Sequence, residues 1–293
     1  MDAELRDAVD SLLSHHLGTT FRTDAVQSLG GGSINAASIV SDGLHRFFLK
    51  TNQSTQRALF TAEADGLAAI AATGTLRTPQ VIGLVETSTT AGLVLEAIKA
   101  FRPDAAAWRQ LGRQLAALHD VAQPAFGFPQ DNFIGTSIQR NSPSADWATF
   151  FRDQRLRFQF ELAQQQGIGL RNVEPLLDAV PTLLAGYAVI PSLLHGDLWS
   201  GNVIFDETGQ PVLIDPACYC GDAEADLAFS EFFGGFAPPF YHAYFAARPP
   251  APGYQRRRTL YNLYHCVNHA NLFGGSYRAQ AQQMIDGLLR ECT

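Results

Sequence analysis

Residues 193–215 read LLHGDLWSGNVIFDETGQPVLID and carry a set of chemically capable side chains in a fixed order. Asp197 follows His195 by two residues, Asn202 follows Asp197 by five, and Asp215 ends the stretch. A carboxylate beside a histidine, then an amide, then a second carboxylate beyond a turn suits phosphoryl transfer. Asp197 is the candidate to accept the proton of an attacking hydroxyl. Asn202 and Asp215 offer the hard oxygen ligands that a magnesium ion on phosphates requires. A histidine–aspartate pair, or a strand ending in Asp, is common alone; the ordered set with a turn between its halves carries the signal. Trp199, two residues after Asp197, offers an aromatic face suited to the apolar side of a sugar ring.

Such a loop needs elements that hold a nucleotide, and the first hundred residues can supply them. Residues 2–17 read as a helix, with Leu5, Val9, Leu12, Leu13 and Leu17 on one face and Asp2 as its cap. Residues 36–40 and 45–50 are strand-like and joined by Ser41-Asp42-Gly43, a hairpin signal. Before them stands Gly30-Gly31-Gly32-Ser33. Glycines there let the backbone approach a ligand and aim N–H groups at phosphate oxygens, so Gly31, Gly32 and Ser33 are candidates to cover a nucleotide's phosphates. Lys50 closes the strand Phe47-Phe48-Leu49-Lys50, and a helix over 58–72 brings Glu63. A strand lysine fixed by a glutamate on the next helix holds phosphate oxygens in kinases. Residues 81–85 and 92–96 read as two more strands. After them Glu96-Ala97-Ile98-Lys99 is the connection whose backbone, at Glu96 and Ile98, is expected to bond an adenine edge.

From Asp104 the pattern turns helical. Trp108, Leu111, Leu115 and Leu118 form a stripe ending at His119, a structural histidine expected near the catalytic loop. FGFPQDNFIGTSIQRN follows, a polar loop too long for a simple connector, and Asp131 and Asn132 within it are candidates to bond sugar hydroxyls. Helices are expected over 146–165 and 173–187, then over 222–233, 239–247, 253–269 and 276–292. Asp226 is a candidate buried carboxylate for anchoring the catalytic-loop backbone. The division is an N-terminal nucleotide-binding lobe over 1–99 and a helical lobe over 100–293 holding the catalytic loop and substrate site.

Composition narrows the partners. The 293 residues, 46% of them hydrophobic, leave room for a sizeable core. A net charge of −7 argues against nucleic acid as a partner, so a polyanionic nucleotide must be held by a local cation or metal. Cys218, Cys220, Cys266 and Cys292 lack zinc spacing and fit a reducing, cytoplasmic setting. No run is apolar and long enough to suggest a membrane span or a signal peptide.

The chain resembles the fructosamine kinase (ketosamine-3-kinase) family. The matching stretches are GGGSIN, FFLK, LFTAEADGL, LGRQLAALH, FGFPQDNFIGTSIQRN, HGDLWSGN, IDPA, EADLAFSEFFGGF and NLYHCVNHANLFGGSY, in family order over nearly the whole length. The resemblance implies a two-lobed protein-kinase-like α+β fold with an antiparallel β-rich N-lobe and a mainly helical C-lobe. It implies ATP with Mg2+, and phosphorylation of the 3-hydroxyl of a ketosamine, free or protein-bound: ribulosamine, erythrulosamine or fructosamine. The implied role is repair of glycated proteins, because the 3-phosphate makes the adduct prone to elimination; the implied state is a monomer or weak dimer. Ser33 stands where some members carry a cysteine with a proposed redox-linked dimer, and IDPACYCG stands where members usually read IDPAVYYG. Cys218 and Cys220 are expected to fill small apolar sites. Two other readings compete: a small-molecule kinase of the aminoglycoside or choline type, and an inactive binding module on the same fold. A protein kinase fits poorly, since no D-F-G or A-P-E is present and the segment after Asp215 is too short for an activation loop.

Overall fold

The computed structural model describes residues 1–30 and 34–292. Its elements are α1 (Ala3–Leu17), β1 (Ala25–Leu29), β2 (Ala36–Ser41), β3 (Arg46–Gln53), α2 (Arg57–Ala72), β4 (Val81–Glu86), β5 (Thr90–Glu96) and α3 (Ala105–His119). Then come β6 (Asn132–Ile134), β7 (Ser137–Gln139), α4 (Trp147–Phe150), a π-helical segment (Phe151–Arg157), α5 (Phe158–Gln165), α6 (Val173–Leu183), β8 (Ser192–Leu194), β9 (Val203–Phe205) and β10 (Pro211–Leu213). The last are β11 (Tyr219–Gly221), α7 (Ala223–Ser230), α8 (Pro238–Ala247), α9 (Tyr254–Phe273) and α10 (Tyr277–Arg290). They form two compact units, Met1–Pro103 with Ile204–Asp215, and Asp104–Val203 with Pro216–Thr293. The first unit thus takes in most of the β9–β10 hairpin, which the division at residue 99 assigned to the helical part. The reason is bonding: Leu213 N donates to Arg77 O (2.9 Å), Phe101 N donates to Phe205 O (2.8 Å), and Arg77 pairs with Asp206.

The first unit is built on a five-stranded antiparallel sheet in the order β1-β2-β3-β5-β4. Alternation along β3 gives it two apolar faces. Phe47 and Leu49 pack with Leu5, Val9 and Leu13 of α1, whose first turn is capped by the Asp2 carboxylate on Leu5 N (2.8 Å). Phe48 packs on the other face with Leu93, Leu95 and Phe60 and Leu67 of α2. Strand β1 has no counterpart in the sequence reading; all its residues are exposed, so an edge strand left no apolar period to find.

The second unit is mainly helical, with one large core shared by α4, the π segment, α5, α6, α7, α9 and α10. Three of its helical stretches depart most from the sequence expectation. The 146–165 helix is interrupted by the π segment, α6 stops at Leu183 shortly after Pro181, and α9 runs on to Phe273. Cys218 and Cys220 are buried, as expected, and burial lifts both thiols above their usual range, Cys220 to about 11.

Helices α3 and α8 meet at Gly112, where an added Cβ would collide with Phe240 O and crowd Tyr244 N. Helix propensity favours Ala over Gly by about 1 kcal/mol. Here the contact reverses the sign, because backbone atoms cannot yield as a side-chain end would. Gly112→Ala is therefore expected to destabilise the protein by about 1–3 kcal/mol, read as a lower urea midpoint at unchanged slope.

Candidate active site

In the first unit, Lys50 lies buried on β3 and its Nζ donates to Glu63 Oε1 of α2 (2.7 Å) and to Asp215 Oδ1. Burial lowers the affinity of the ammonium for its proton, but the two carboxylates outweigh it and hold Lys50 above its ordinary value. Burial pushes the Glu63 carboxyl upward against the pull of Lys50, and Asp215 adds to the upward push. Asp215 adopts the left-handed region at φ 54°, which Asp tolerates better than most residues, and its side chain is 43% exposed. It is thus held by Lys50 yet reachable.

Lys50 and Asp215 stand at one part of a cavity of about 330 Å³. Ala37, Ile39 and Phe48 line it from the sheet, Leu95, Glu96 and Ile98 from the end of β5, and Ile204 and Ile214 from the hairpin. Charged groups beside apolar side chains suit a phosphorylated heterocycle. The Glu96 carboxylate is committed: it accepts from Arg77 and from Gln80 N (3.2 Å), leaving the backbone as the route to a base edge. Gly31, Gly32 and Ser33 lie outside the described residues.

In the second unit, one amide organises the catalytic loop. Asn202 Nδ2 donates to Asp197 O (2.8 Å) and to Asp197 Oδ2 (2.9 Å), fixing the carboxylate and leaving the amide oxygen as the candidate for a hard cation. The loop backbone is anchored by Asp226, buried in α7, which accepts from His195 N (2.7 Å) and Gly196 N (2.9 Å). His119 Nε2 lies 3.3 Å from the same carboxylate, and its Nδ1 is 2.8 Å from Tyr244 Oη, so His119 is structural as expected. Ala217 N donates to His195 O (2.8 Å), and a Cβ on Gly196 (φ 80°) would strike Ala217 O. Trp199 is half-buried, stands edge-to-face with Phe233 at 5.5 Å, and folds over Gly201, where an added Cβ would meet its indole ring.

The polar loop after α3 does not stay a loop. It folds as the β6–β7 hairpin, and this corrects the expectation for Asn132. Its amide is buried and engaged: Nδ2 donates to Cys218 O (2.7 Å), while Oδ1 accepts from Gln139 (2.8 Å) and Asn141 (2.9 Å). Asn132 holds the segment after Asp215 in place of a sugar. Asp131 remains exposed at its carboxylate, with one oxygen capping Asn141 N (2.7 Å). Sequence reasoning missed Gln139, whose Nε2 also donates to Ala217 O (3.0 Å), and Arg155. Arg155 is fully buried in the π segment and lies 4.0 Å over the Tyr219 ring. Neither has a local signature, since each acts on backbone or rings far along the chain.

Removing the Asp226 carboxylate strands two buried backbone donors. Each costs about 1–3 kcal/mol, so Asp226→Ala is expected to lose about 3–5 kcal/mol in urea unfolding. Asp226→Asn, which keeps one acceptor, is expected to lose less.

This geometry agrees with what the chain is similar to. The sequence model for fructosamine kinase matches residues 5–291. A probable ketoamine kinase of Synechocystis sp. is 44% identical over 279 residues, covering 95% of each chain. The chloroplastic protein-ribulosamine 3-kinase of Arabidopsis thaliana is 40% identical over 278 residues, covering 93% of this chain and 85% of that one. A crystal structure named for a fructosamine-3-kinase of Haemophilus somnus superimposes with a TM-score of 0.93 at 29% identity, covering 98% of both chains. A choline kinase of Streptococcus pneumoniae, at 17% identity over 97% of this chain and 99% of its own, shares the fold with a TM-score of 0.62. The architecture is therefore the α+β protein-kinase-like one, and the chain belongs to the fructosamine kinase family.

Proposed function

We propose that this protein is an ATP-dependent kinase that transfers the γ-phosphoryl group to the 3-hydroxyl of ketosamines, free or attached to proteins, as a step in deglycation. The observation that carries the proposal is the retention, in one chain of this family, of the Lys50–Glu63–Asp215 set and the Asn202-oriented Asp197 carboxylate. An inactive binding module would have no need of either.

Phosphoryl transfer asks a protein for alignment and charge neutralisation more than for covalent chemistry. In the proposed step, the sugar 3-oxygen forms a bond to the γ-phosphorus as the bond to the β-phosphate oxygen breaks and ADP leaves. Asp197 takes the hydroxyl proton, and Asn202 keeps its carboxylate aimed. Lys50 exchanges a carboxylate for phosphate oxygens, and Glu63 keeps the ammonium in place. Asn202 and Asp215 offer oxygen ligands that fit Mg2+, which when bound neutralises charge on the phosphates. Gly31, Gly32 and Ser33 cover the phosphates, and the backbone at Glu96 and Ile98 meets the base. Trp199 covers the sugar carbons, with the Asp131 carboxylate as a polar neighbour for hydroxyls. Ribulosamines head the substrate list, because the plant relative carries that name. The cysteines, none of them in a disulfide among the described residues, fit a cytoplasmic setting.

Asp197→Asn is expected to fold with an unchanged melting temperature and lose turnover by about two orders of magnitude, the usual scale for a general base. Near-normal turnover would remove Asp197 from that role.

The substrate assignment is tested by kcat/KM for ribulosyl-lysine, free ribulose, choline and an aminoglycoside. Ribulosyl-lysine is expected to lead, because the amine-linked part supplies binding energy used for orientation. Preference for choline or an aminoglycoside would favour the competing small-molecule kinases, and equal use of free ribulose would refute the repair role.

A further inference from the structure

The walls of the Lys50 cavity come from pieces of chain far apart in sequence. Ile204 and Ile214 come from the β9–β10 hairpin, while Leu95, Glu96 and Ile98 come from the end of β5. Two charged fastenings hold that hairpin within its unit. At one end Asp215 meets Lys50. At the other, Asp206 at the start of the turn takes Arg77 Nη1 at 2.6 Å, and the same guanidinium reaches Glu96 through Nη2. Asp206 is fixed in turn, because its Oδ1 accepts from Thr208 N (2.9 Å), Thr208 Oγ1 (2.7 Å) and Gln210 N (3.0 Å). A planar fork joining two carboxylates on two walls sets a spacing that a single ammonium cannot.

The two fastenings differ in what a nucleotide does to them. Lys50 and Asp215 are the groups offered to phosphates and cation, so binding exchanges their mutual contact for contacts with the ligand. Arg77 lines no part of the cavity and keeps its partners. We infer that Arg77 is a positioning residue for the nucleoside end of the ATP site. By bridging Asp206 and Glu96 it holds the hairpin wall at a fixed distance from the β5 wall while Lys50 and Asp215 turn to the phosphates. This rests on the reading of the cavity as the ATP site.

The test measures Kd for ATP and for adenosine by calorimetry, together with kcat, both KM values and melting temperature, in wild type, Arg77→Ala, Asp206→Asn and the double variant. Arg77→Ala is expected to weaken ATP and adenosine by the same factor, about tenfold, the scale of two partly exposed ion pairs. KM for ATP rises in step, while kcat at saturating ATP stays within about twofold and KM for ribulosyl-lysine is unchanged. Asp206→Asn is expected to move adenosine affinity in the same direction, with the double variant no worse than Arg77→Ala. Unchanged adenosine affinity in the variants, or a fall in kcat that follows a fall in melting temperature, overturns the positioning role. Should Arg77→Ala not fold, Asp206→Asn decides by the same comparison. Wild-type protein that binds neither ATP nor adenosine overturns the ATP-site reading and this inference together. Wild type that binds both, beside variants that bind equally well, overturns this inference alone.

Discussion

A buried ammonium cannot stand unpaired, and the first unit is arranged around that constraint at Lys50. Taking a charge out of water costs several kcal/mol even after relaxation, and the cost is met only by close opposite charge. Lys50 finds two carboxylates from two different elements: Glu63 on α2 and Asp215 just beyond β10. Sheet, helix and hairpin are thereby fixed against one another by a single cation. The side chain of Asp215 is much more exposed than that of Glu63, so it is the one able to change partners. The left-handed turn at Asp215 aims that carboxylate into the cavity directly before the chain passes into Pro216.

Much of this was legible in the sequence, for local reasons. Leu5, Val9 and Leu13 recur at helical spacing and form the buried face of α1, and Asp2 caps that helix. The β2–β3 hairpin was marked by Ser41-Asp42-Gly43, and the Lys50–Glu63 pair by its place in the order of elements. Asp226, the candidate anchor for the catalytic-loop backbone, accepts from two of its N–H groups. What escaped the sequence acts over long separations or in very short elements. Strands of three residues, such as β6 and β7, show too few alternations to reveal a period. Asn132 was read as a ligand for sugar hydroxyls because polar loops often bind. Its partner, the carbonyl of Cys218, lies 86 residues away, and nothing local announces it. Arg77 and Asp206, 129 residues apart, are hidden for the same reason.

The correction at Asn132 changes how the second unit is understood. Its amide and that of Gln139 grip the carbonyls of Cys218 and Ala217. The segment after Asp215 is too short to fold back on itself as an activation loop would. It is instead immobilised by buried amides whose hydrogen bonds are worth more in a low-dielectric interior than at the surface. The bond from Ala217 N to His195 O (2.8 Å) then ties this immobilised segment to the catalytic loop, so the hairpin's amides steady the loop at one remove.

Within that loop, Asn202 links the two tasks that phosphoryl transfer demands. A primary amide has its donor and acceptor on opposite arms of one planar group, so fixing the nitrogen fixes the oxygen. The nitrogen is fixed twice, by the Asp197 carbonyl and by the Asp197 carboxylate. The Asp197 carboxylate is therefore aimed and the Asn202 amide oxygen oriented by the same pair of bonds, the preorganisation that a proposed base and metal ligand require. A carboxylate at position 202 would repel Asp197, and an apolar side chain would leave it without its donor. Only a side chain with a donor on one arm and an acceptor on the other satisfies both demands. That is a physical reason for an amide, not an acid, five residues after Asp197.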